Sequence, residues 1–288
     1  VTRRADKNRP WPDIHALVLD LDGTVYRGDI PIPGAFEALA RWRKHAIPVM
    51  FVTNNSTKSR AEFAAKLTRM GHPTEPEHIV NTAHATGFLL AELRPAGTRV
   101  YVVGAPALSQ AVTDAGFVVS EQDAEVVVVG LDRALTYDKL RTAVRLILDG
   151  AEFIATNPDR LIPHGPHLDP GAGAIMAAVE AATAHVTKPL VVGKPEPTLI
   201  SLALQRLGAN PENSVMVGDQ LQTDVQAGQR AGLFSVLVTT GVPAGAPTSV
   251  TADRVIADLT EIPVIGREPA EGAITASEDA STRGSAAR

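Results

Sequence analysis

The stretch Ala16-Leu17-Val18-Leu19-Asp20-Leu21-Asp22-Gly23-Thr24 decides how the chain is read. Four apolar residues running into an acid read as a buried strand, and Gly23 punctuates its end. In an open parallel sheet, ligands bind outside the carboxyl ends of the strands. The stretch therefore carries two carboxylates, Asp20 and Asp22, to the place where such a sheet does its chemistry. Taken alone, it also fits an ordinary strand-to-loop turn, because Asp and Gly are common turn residues.

The neighbouring sequence supplies the rest of a sheet. Pro31 to Gly34 opens a helix with Phe36, Leu39, Ala40 and Trp42 at helical spacing. Pro48-Val49-Met50-Phe51-Val52 reads as a second buried strand that runs into Thr53-Asn54-Asn55-Ser56. Lys58 to Met70 reads as a helix stopped by Gly71. Strand, helix, strand, helix is the signature of a parallel sheet. The pattern resumes at Leu190-Val191-Val192, before Gly193-Lys194-Pro195. A helix over Thr198 to Leu207 follows, then the apolar strand Val215-Met216-Val217 ending at Gly218-Asp219. A helix over Thr223 to Ala231 and strands at Ser235 to Val238 and Val255 to Ile256 complete it.

Between these two parts lies a separate alternation. Val100 to Val103, Phe117 to Val119, Val126 to Val129 and Phe153 to Ala155 read as strands. Pro106 to Ala115, Tyr137 to Leu148 and Ala172 to Ala184 read as helices. That is enough chain for a domain of its own. The expected class is α/β: a discontinuous, Rossmann-like parallel-sheet core over residues 1–83 and 189–266, with an α/β domain inserted at 84–188. Residues 1–13 read as a loose arm, and 267–288, rich in Ala, Ser, Thr, Glu and Gly without a period, as a flexible tail.

Composition narrows the function classes. Of 288 residues, 44% are hydrophobic and 20% charged, an ordinary profile for a soluble protein. The net charge is −5 with no basic block, which speaks against nucleic acid as a partner. No apolar run reaches membrane-spanning length, so neither a membrane nor an apolar leader is expected and a cytoplasmic protein is the default. There are no cysteines, hence no disulfides or thiolate metal sites.

Four polar clusters sit at the ends of apolar strands: Asp20/Asp22/Thr24, Thr53/Asn54/Asn55, Lys194, and Asp219/Asp224. In a parallel sheet all four ends share one edge. Carboxylates there can hold a hard cation such as magnesium through oxygen. A lysine and small donors can neutralise phosphoryl oxygens. One carboxylate can act as nucleophile and form an aspartyl-phosphate. The combination reads as a phosphoryl-transfer site.

The order Asp-Leu-Asp-Gly-Thr, Thr-Asn-Asn-Ser, Gly-Lys-Pro and Gly-Asp-Gln-Leu-Gln-Thr-Asp resembles the haloacid dehalogenase-like hydrolases. With Val25-Tyr26-Arg27-Gly28 after the first motif and a domain inserted before Gly193-Lys194-Pro195-Glu196-Pro197, the chain looks like the NagD, 4-nitrophenylphosphatase and phosphoglycolate phosphatase subfamily. The resemblance spans about Leu17 to Val242. It implies that Asp20 is the nucleophile and Asp22 the acid and base. It also implies that Thr53, Lys194 and the Asn54 backbone hold phosphate, and that Asp20, the Asp22 carbonyl and Asp219 ligate Mg2+. Asp224 then orients Lys194 or a metal-bound water, although its place also fits a helix N-terminal acid favoured by the dipole. Where Gln222 stands, members often carry a further acid, so the surroundings of the metal are expected to be weaker.

By the same resemblance, the insertion is a large cap that closes over the site and excludes water. Asn157, Asp159 and Arg160, at the end of a cap strand, are candidates to contact substrate; a polar turn set by Asn-Pro is the alternative. His164 and His167 lack a third partner and read as a surface loop rather than a metal site. Gly171-Ala172-Gly173-Ala174 lacks the Lys-Ser/Thr of a nucleotide loop. Ala174, Ala177, Ala178, Ala181 and Ala182 are expected to form a tightly packed helix face. Aromatic residues make up only 4%, which disfavours stacking on a nucleobase.

The expected partner is a small phosphorylated metabolite. The resemblance points to glycerol 3-phosphate or 2-phosphoglycolate and leaves a homodimer through the cap open. Alternatives are a phosphomutase or phosphotransferase on the same scaffold, or a phospho-ligand binding module without catalysis. A signalling receiver domain fits poorly, because Asp22 beside Asp20 would shorten the life of a phosphoaspartate.

Overall fold

In the computed structural model, β1 (Ala16–Asp20) is buried along its whole length, as an apolar run in the middle of a parallel sheet must be. Residues 9–164, 167–184, 186–241 and 248–265 are described. After β1 come a short antiparallel pair, β2 (Tyr26–Arg27) and β3 (Ile30–Pro31), then α1 (Ala35–Lys44) and β4 (Val49–Thr53). α2 (Arg60–Arg69) starts where Ser59 and Glu62 form a reciprocal capping box. β5 (Ile79–Asn81) and α3 (Thr82–Leu93) lead out of the core.

The inserted unit begins with β6 (Arg99–Val103), α4 (Pro106–Asp114), β7 (Val118–Val119) and β8 (Val126–Val129). It continues with α5 (Tyr137–Leu148), β9 (Glu152–Ala155) and the hairpin of β10 (Leu161–His164) and β11 (His167–Pro170). α6 (Ala172–Thr183) and β12 (Leu190–Val191) close it. The chain returns through α7 (Thr198–Leu207), β13 (Ser214–Gly218), a π-helical turn Leu221–Val225, α8 (Gln226–Arg230), β14 (Phe234–Val238) and β15 (Arg254–Ile256).

The core sheet runs in the order β15-β14-β13-β1-β4-β5, all parallel. Successive strands step outward from β1 to β5, and the return begins on the other side of β1 with β13. The order therefore reverses between β1 and β13, which is where an open α/β sheet forms its binding crevice. Leu17, Leu19, Phe51 and Val217 face α1 and α2 on one side, and Val18, Met50, Val52 and Met216 face α7 on the other.

The cap sheet is also fully parallel, in the order β12-β9-β8-β6-β7. α5 and α6 cover one face through Val127, Val129, Phe153 and Val179. α4 covers the other through Leu108 and Val112. α3 packs against both α4 of the cap and α7 of the core, so one apolar cluster runs from Met216 in the core sheet to Val126 in the cap sheet.

Several expectations change. Leu190–Val191 pairs with Ile154 and Ala155 of β9, so this strand extends the cap sheet rather than resuming the core. The expected boundary at 83/84 falls inside α3. His164 and His167 are strand residues, paired with each other at the ends of β10 and β11; Gly165 and Pro166 lie outside the described residues. Ala177, Ala178, Ala181 and Ala182 are exposed, and α6 buries Ala172, Ile175, Val179 and Thr183 instead. The larger Ile and Val side chains gain more from burial than a methyl group does, so they orient the helix. The first eight residues of the arm and the tail at 267–288 lie outside the described residues.

Candidate active site

The four polar clusters meet at the carboxyl ends of the core strands. Asp20 is the last residue of β1, Thr53 the last of β4, and Asp219 follows β13. Lys194 reaches the same crevice from the end of β12. Its ammonium donates to Asp20 Oδ1 at 2.5 Å and to Asp224 Oδ1 at 2.6 Å. All three side chains are buried. The second Asp224 oxygen accepts from the Gln220 N–H at 3.0 Å, so the π-helical turn ties this carboxylate down.

Burial raises the Asp20 carboxyl well above the usual carboxylate range; Lys194 opposes the shift, and Asp224 and Asp219 add to it. Burial pulls the Lys194 ammonium down, but Asp20 and Asp224 together overcome this and hold it above the ordinary lysine range. The lysine is therefore charged, and its charge is shared between two carboxylates.

Asp20, Asp219 and Asp224 present carboxylate oxygens that all lie within 4.8 Å of one another. Three buried carboxylates against one ammonium leave negative charge that a hard cation compensates. Backbone shape supports the same place. Gly23, at φ 93°, and Gly241 both press on the Asp219 carboxylate, and a Cβ on either would overlap it. The Thr240 hydroxyl donates to the Gly23 carbonyl at 2.6 Å, and Arg27 donates to the Thr240 carbonyl, so the segment after β14 walls the site. The donor set is all oxygen and fits a magnesium-type ion.

Asp22 departs from this group. It is exposed, unlike the other three aspartates. The surrounding protein nevertheless raises its carboxyl by desolvation, against the opposing pull of Lys66, a Gly28 N–H and Arg27. A carboxyl held above its ordinary range gives up its proton less readily than a free one. Thr53 is buried, and its Oγ1 accepts from the Asn55 N–H at 3.2 Å.

Asn54, Asn157 and Asp159 form a second cluster. The Asn54 amide bonds both the N–H and the carbonyl of Lys194, at 2.8 and 2.9 Å. It also donates to Asp159 Oδ2 at 3.1 Å, and the Asn54 carbonyl accepts from Asn157 Nδ2 at 2.7 Å. The cap loop thus touches the core through these two side chains, while Arg160 is exposed. Gln222 lies in the π-helical turn.

Sequence reasoning missed the Asn54 side chain, the Thr240-Gly241 wall and the cis peptide between Lys194 and Pro195. The wall was within reach: Thr239-Thr240-Gly241 closes an apolar strand with a polar cluster, the same grammar that marked the other four.

Comparison with known proteins agrees with this geometry. The model of the family described as haloacid dehalogenase-like hydrolase matches residues 17–118, and a second, described as HAD-hydrolase-like, matches residues 191–262. An acid sugar phosphatase of Staphylococcus saprophyticus is 40% identical over 228 residues, covering 79% of this chain and 87% of that protein. A double mutant of the thermostable NPPase from Geobacillus stearothermophilus superposes with a TM-score of 0.82 at 36% identity, over 88% of this chain and 100% of that one. A glycerol phosphate phosphatase from Mycobacterium tuberculosis, solved with magnesium, gives 0.79 at 34% identity, over 86% of this chain and 76% of that one. With its parallel-sheet core, its inserted α/β cap and its cluster of buried aspartates, the chain belongs to the haloacid dehalogenase-like hydrolases, as a phosphatase of their NagD- and 4-nitrophenylphosphatase-like branch.

Proposed function

We propose that this chain is a magnesium-dependent phosphomonoesterase that uses Asp20 as nucleophile and takes a small polyol or hydroxy-acid phosphate, with glycerol 3-phosphate and 2-phosphoglycolate as the best candidates. The observation that carries the reading is the Asp20–Lys194–Asp224 arrangement beside Asp219 at the switch point of the sheet.

Asp20, the Asp22 main-chain carbonyl and Asp219 would hold the ion, with Asp224 close by and anchored to Lys194. When bound, magnesium neutralises charge on the phosphoryl oxygens and on the attacking carboxylate. Lys194, the Thr53 hydroxyl and the Asn54 N–H bind and orient the phosphoryl group. Lys194 engages Asp20 Oδ1, which leaves the other oxygen to attack phosphorus. As that bond forms, the bond from phosphorus to the ester oxygen breaks, and Asp22 delivers its proton to the leaving alkoxide. Asp22, now a carboxylate, takes a proton from water as the water attacks phosphorus. The acyl phosphate opens, regenerating Asp20 and releasing inorganic phosphate.

The substrate class is supported by the low aromatic content, 4%, and by relatives named as acid sugar phosphatase and glycerol phosphate phosphatase. Exposed Leu161 and Leu168 on the cap hairpin support pairing of two copies through the cap.

The test is phosphate release from a panel of small esters, with magnesium and with EDTA. Magnesium-dependent turnover that favours glycerol 3-phosphate or 2-phosphoglycolate over nucleoside monophosphates is expected. A folded protein that hydrolyses none of them would overturn the reading.

A further inference from the structure

Lys194 arrives at the catalytic edge as part of a cap strand. Leu190 and Val191 pair with Ile154 and Ala155 of β9. The ladder continues, with the Val192 N–H donating to the Ala155 carbonyl at 2.9 Å and the Gly193 N–H to the Thr156 carbonyl at 2.7 Å. At Lys194 the partner changes. There the main chain pairs with the Asn54 side chain, at the end of core strand β4.

We propose that Asn54 is a positioning residue: its amide clamps the Lys194 main chain between the core and the cap loop Asn157–Asp159, so that the seating of the cap sets where the lysine ammonium lies. The proposal rests on the phosphatase reading above and adds to it a route from cap to chemistry.

The clamp is specific. One amide meets both the N–H and the carbonyl of a single residue, which fixes position and orientation as a neighbouring strand would. Its oxygen takes the Lys194 N–H, and its two hydrogens go to the Lys194 carbonyl and to Asp159 Oδ2. Both amide hydrogens are thus used within the protein.

The main chain of Asn54 is held as well. Its carbonyl accepts from Asn157 Nδ2 and from the Thr82 hydroxyl, both at 2.7 Å. Asn157 Oδ1 in turn accepts from the Asp159 N–H at 3.1 Å. The start of α6 fixes the loop from behind: the Gly171 N–H donates to the Arg160 carbonyl and the Gly173 N–H to the Asp159 carbonyl, each at 2.8 Å.

Three glycines make the close approach possible. A Cβ on Gly193 would stand 2.6 Å from both Asn54 Oδ1 and the Thr156 carbonyl. Cβ atoms on Gly171 and Gly173 would overlap the Asp159 and Pro158 carbonyls. These contacts give the glycine-rich segment at 171–173 a packing role in place of a ligand-binding one. From the clamped main chain, the buried Lys194 side chain reaches Asp20 at 2.5 Å and Asp224 at 2.6 Å. A displacement of ~1 Å in such a group costs on the order of 10²-fold in rate.

The test is a set of mutant cycles at saturating magnesium, using Asn54→Ala, Asp159→Ala, Asp159→Asn and Lys194→Ala. Asn54→Ala is expected to lower kcat/KM by about 10²-fold on 4-nitrophenyl phosphate and glycerol 3-phosphate alike. In the Lys194→Ala background the same change is expected to add less than about twofold, because coupled groups are not additive. Asp159→Asn, which keeps an acceptor oxygen in place, should recover most of what Asp159→Ala loses.

A second readout does not depend on turnover. The rate at which an amine-reactive reagent labels Lys194, read by peptide mass spectrometry, should rise in Asn54→Ala and Asp159→Ala while circular dichroism is unchanged. Full multiplicative loss in the Lys194→Ala background, or labelling equal to the unmutated protein, would overturn the clamp. If Asn54→Ala does not fold, the Asp159 variants carry the same cycle. An unmutated protein that releases no phosphate from any ester would defeat the phosphatase reading instead, and the labelling rates would still decide the clamp.

Discussion

Replacing Lys194 by methionine keeps a four-atom unbranched stem and removes the ammonium that sits 2.5 Å from Asp20 and 2.6 Å from Asp224. The lysine and Asp224 are 2% exposed and Asp20 is 8% exposed, so water cannot take over the lost interaction. Asp219 adds a third buried carboxylate within reach of the other two. Removing one partner of a buried ion pair costs about 3–5 kcal/mol, because it strands the other charge. For a protein of 288 residues that corresponds to a fall in Tm of about 5–8 °C.

The assay is thermal unfolding at neutral pH in EDTA, and again with magnesium, which should narrow the gap by binding only the folded form. Acid should narrow it too. The Asp20 carboxyl is already raised in the folded protein, and losing Lys194 raises it further. A raised carboxyl costs stability above its folded pKa and is relieved as the pH falls through it. A methionine variant that melts within about 2 °C of the unmutated protein in EDTA would refute the idea that the lysine balances a cluster of buried negative charge.

Three further outcomes are expected. Asp22→Asn should slow hydrolysis of alkyl phosphates by about 10²–10⁴-fold and that of 4-nitrophenyl phosphate much less, since a good leaving group needs little protonation; equal losses on both would remove Asp22 as the acid. Gly241→Ala should push a methyl group into the Asp219 carboxylate and weaken magnesium binding by tenfold or more, on the order of 1.4 kcal/mol, read by calorimetry; unchanged affinity would show that the Thr240-Gly241 segment does not shape the site. Burial, with help from Arg206 and Arg60, lowers the His84 pKa to about 4, so the folded protein resists a proton that the unfolded chain accepts. Stability should therefore fall as the pH drops through the ordinary histidine range toward 4, and His84→Gln should flatten that slope in a series of melting curves.

The parts of the fold that could be read from sequence are those where one local signal dominates. β1, β4 and β13 are short apolar runs closed by polar clusters, and burial on both faces of a parallel sheet leaves that trace. Asp20, Thr53, Lys194 and Asp219 stand out as candidates because each sits at or just past the end of a strand. β5 has three residues, Ile79–Asn81, too few for any period to show. β12 looks like every other apolar strand, and only its pairing with β9 assigns it to the cap; strand partners are a tertiary choice that local sequence does not encode.

The same limit explains Asn54. Its neighbours in sequence mark a polar strand end, whereas its side chain bonds Lys194 and Asp159, each more than a hundred residues away. In α6, alanine count misled, because Ile175 and Val179 orient the helix and the alanine face is exposed. Asp22 and Asp224 show that spacing in sequence and grouping in space diverge. Asp22, two residues from Asp20, is exposed and outside the buried carboxylate group, whereas Asp224, from a turn after another strand, shares the lysine.

If Asp20 is the nucleophile, it becomes phosphorylated during turnover. The measurement is acid quench of the Asp22→Asn variant during turnover of 4-nitrophenyl phosphate, followed by peptide mass spectrometry. One added phosphoryl group is expected on the peptide containing Asp20, lost on treatment with hydroxylamine and absent from Asp20→Asn. Continued turnover with no label at Asp20, or turnover retained in Asp20→Asn, would contradict it.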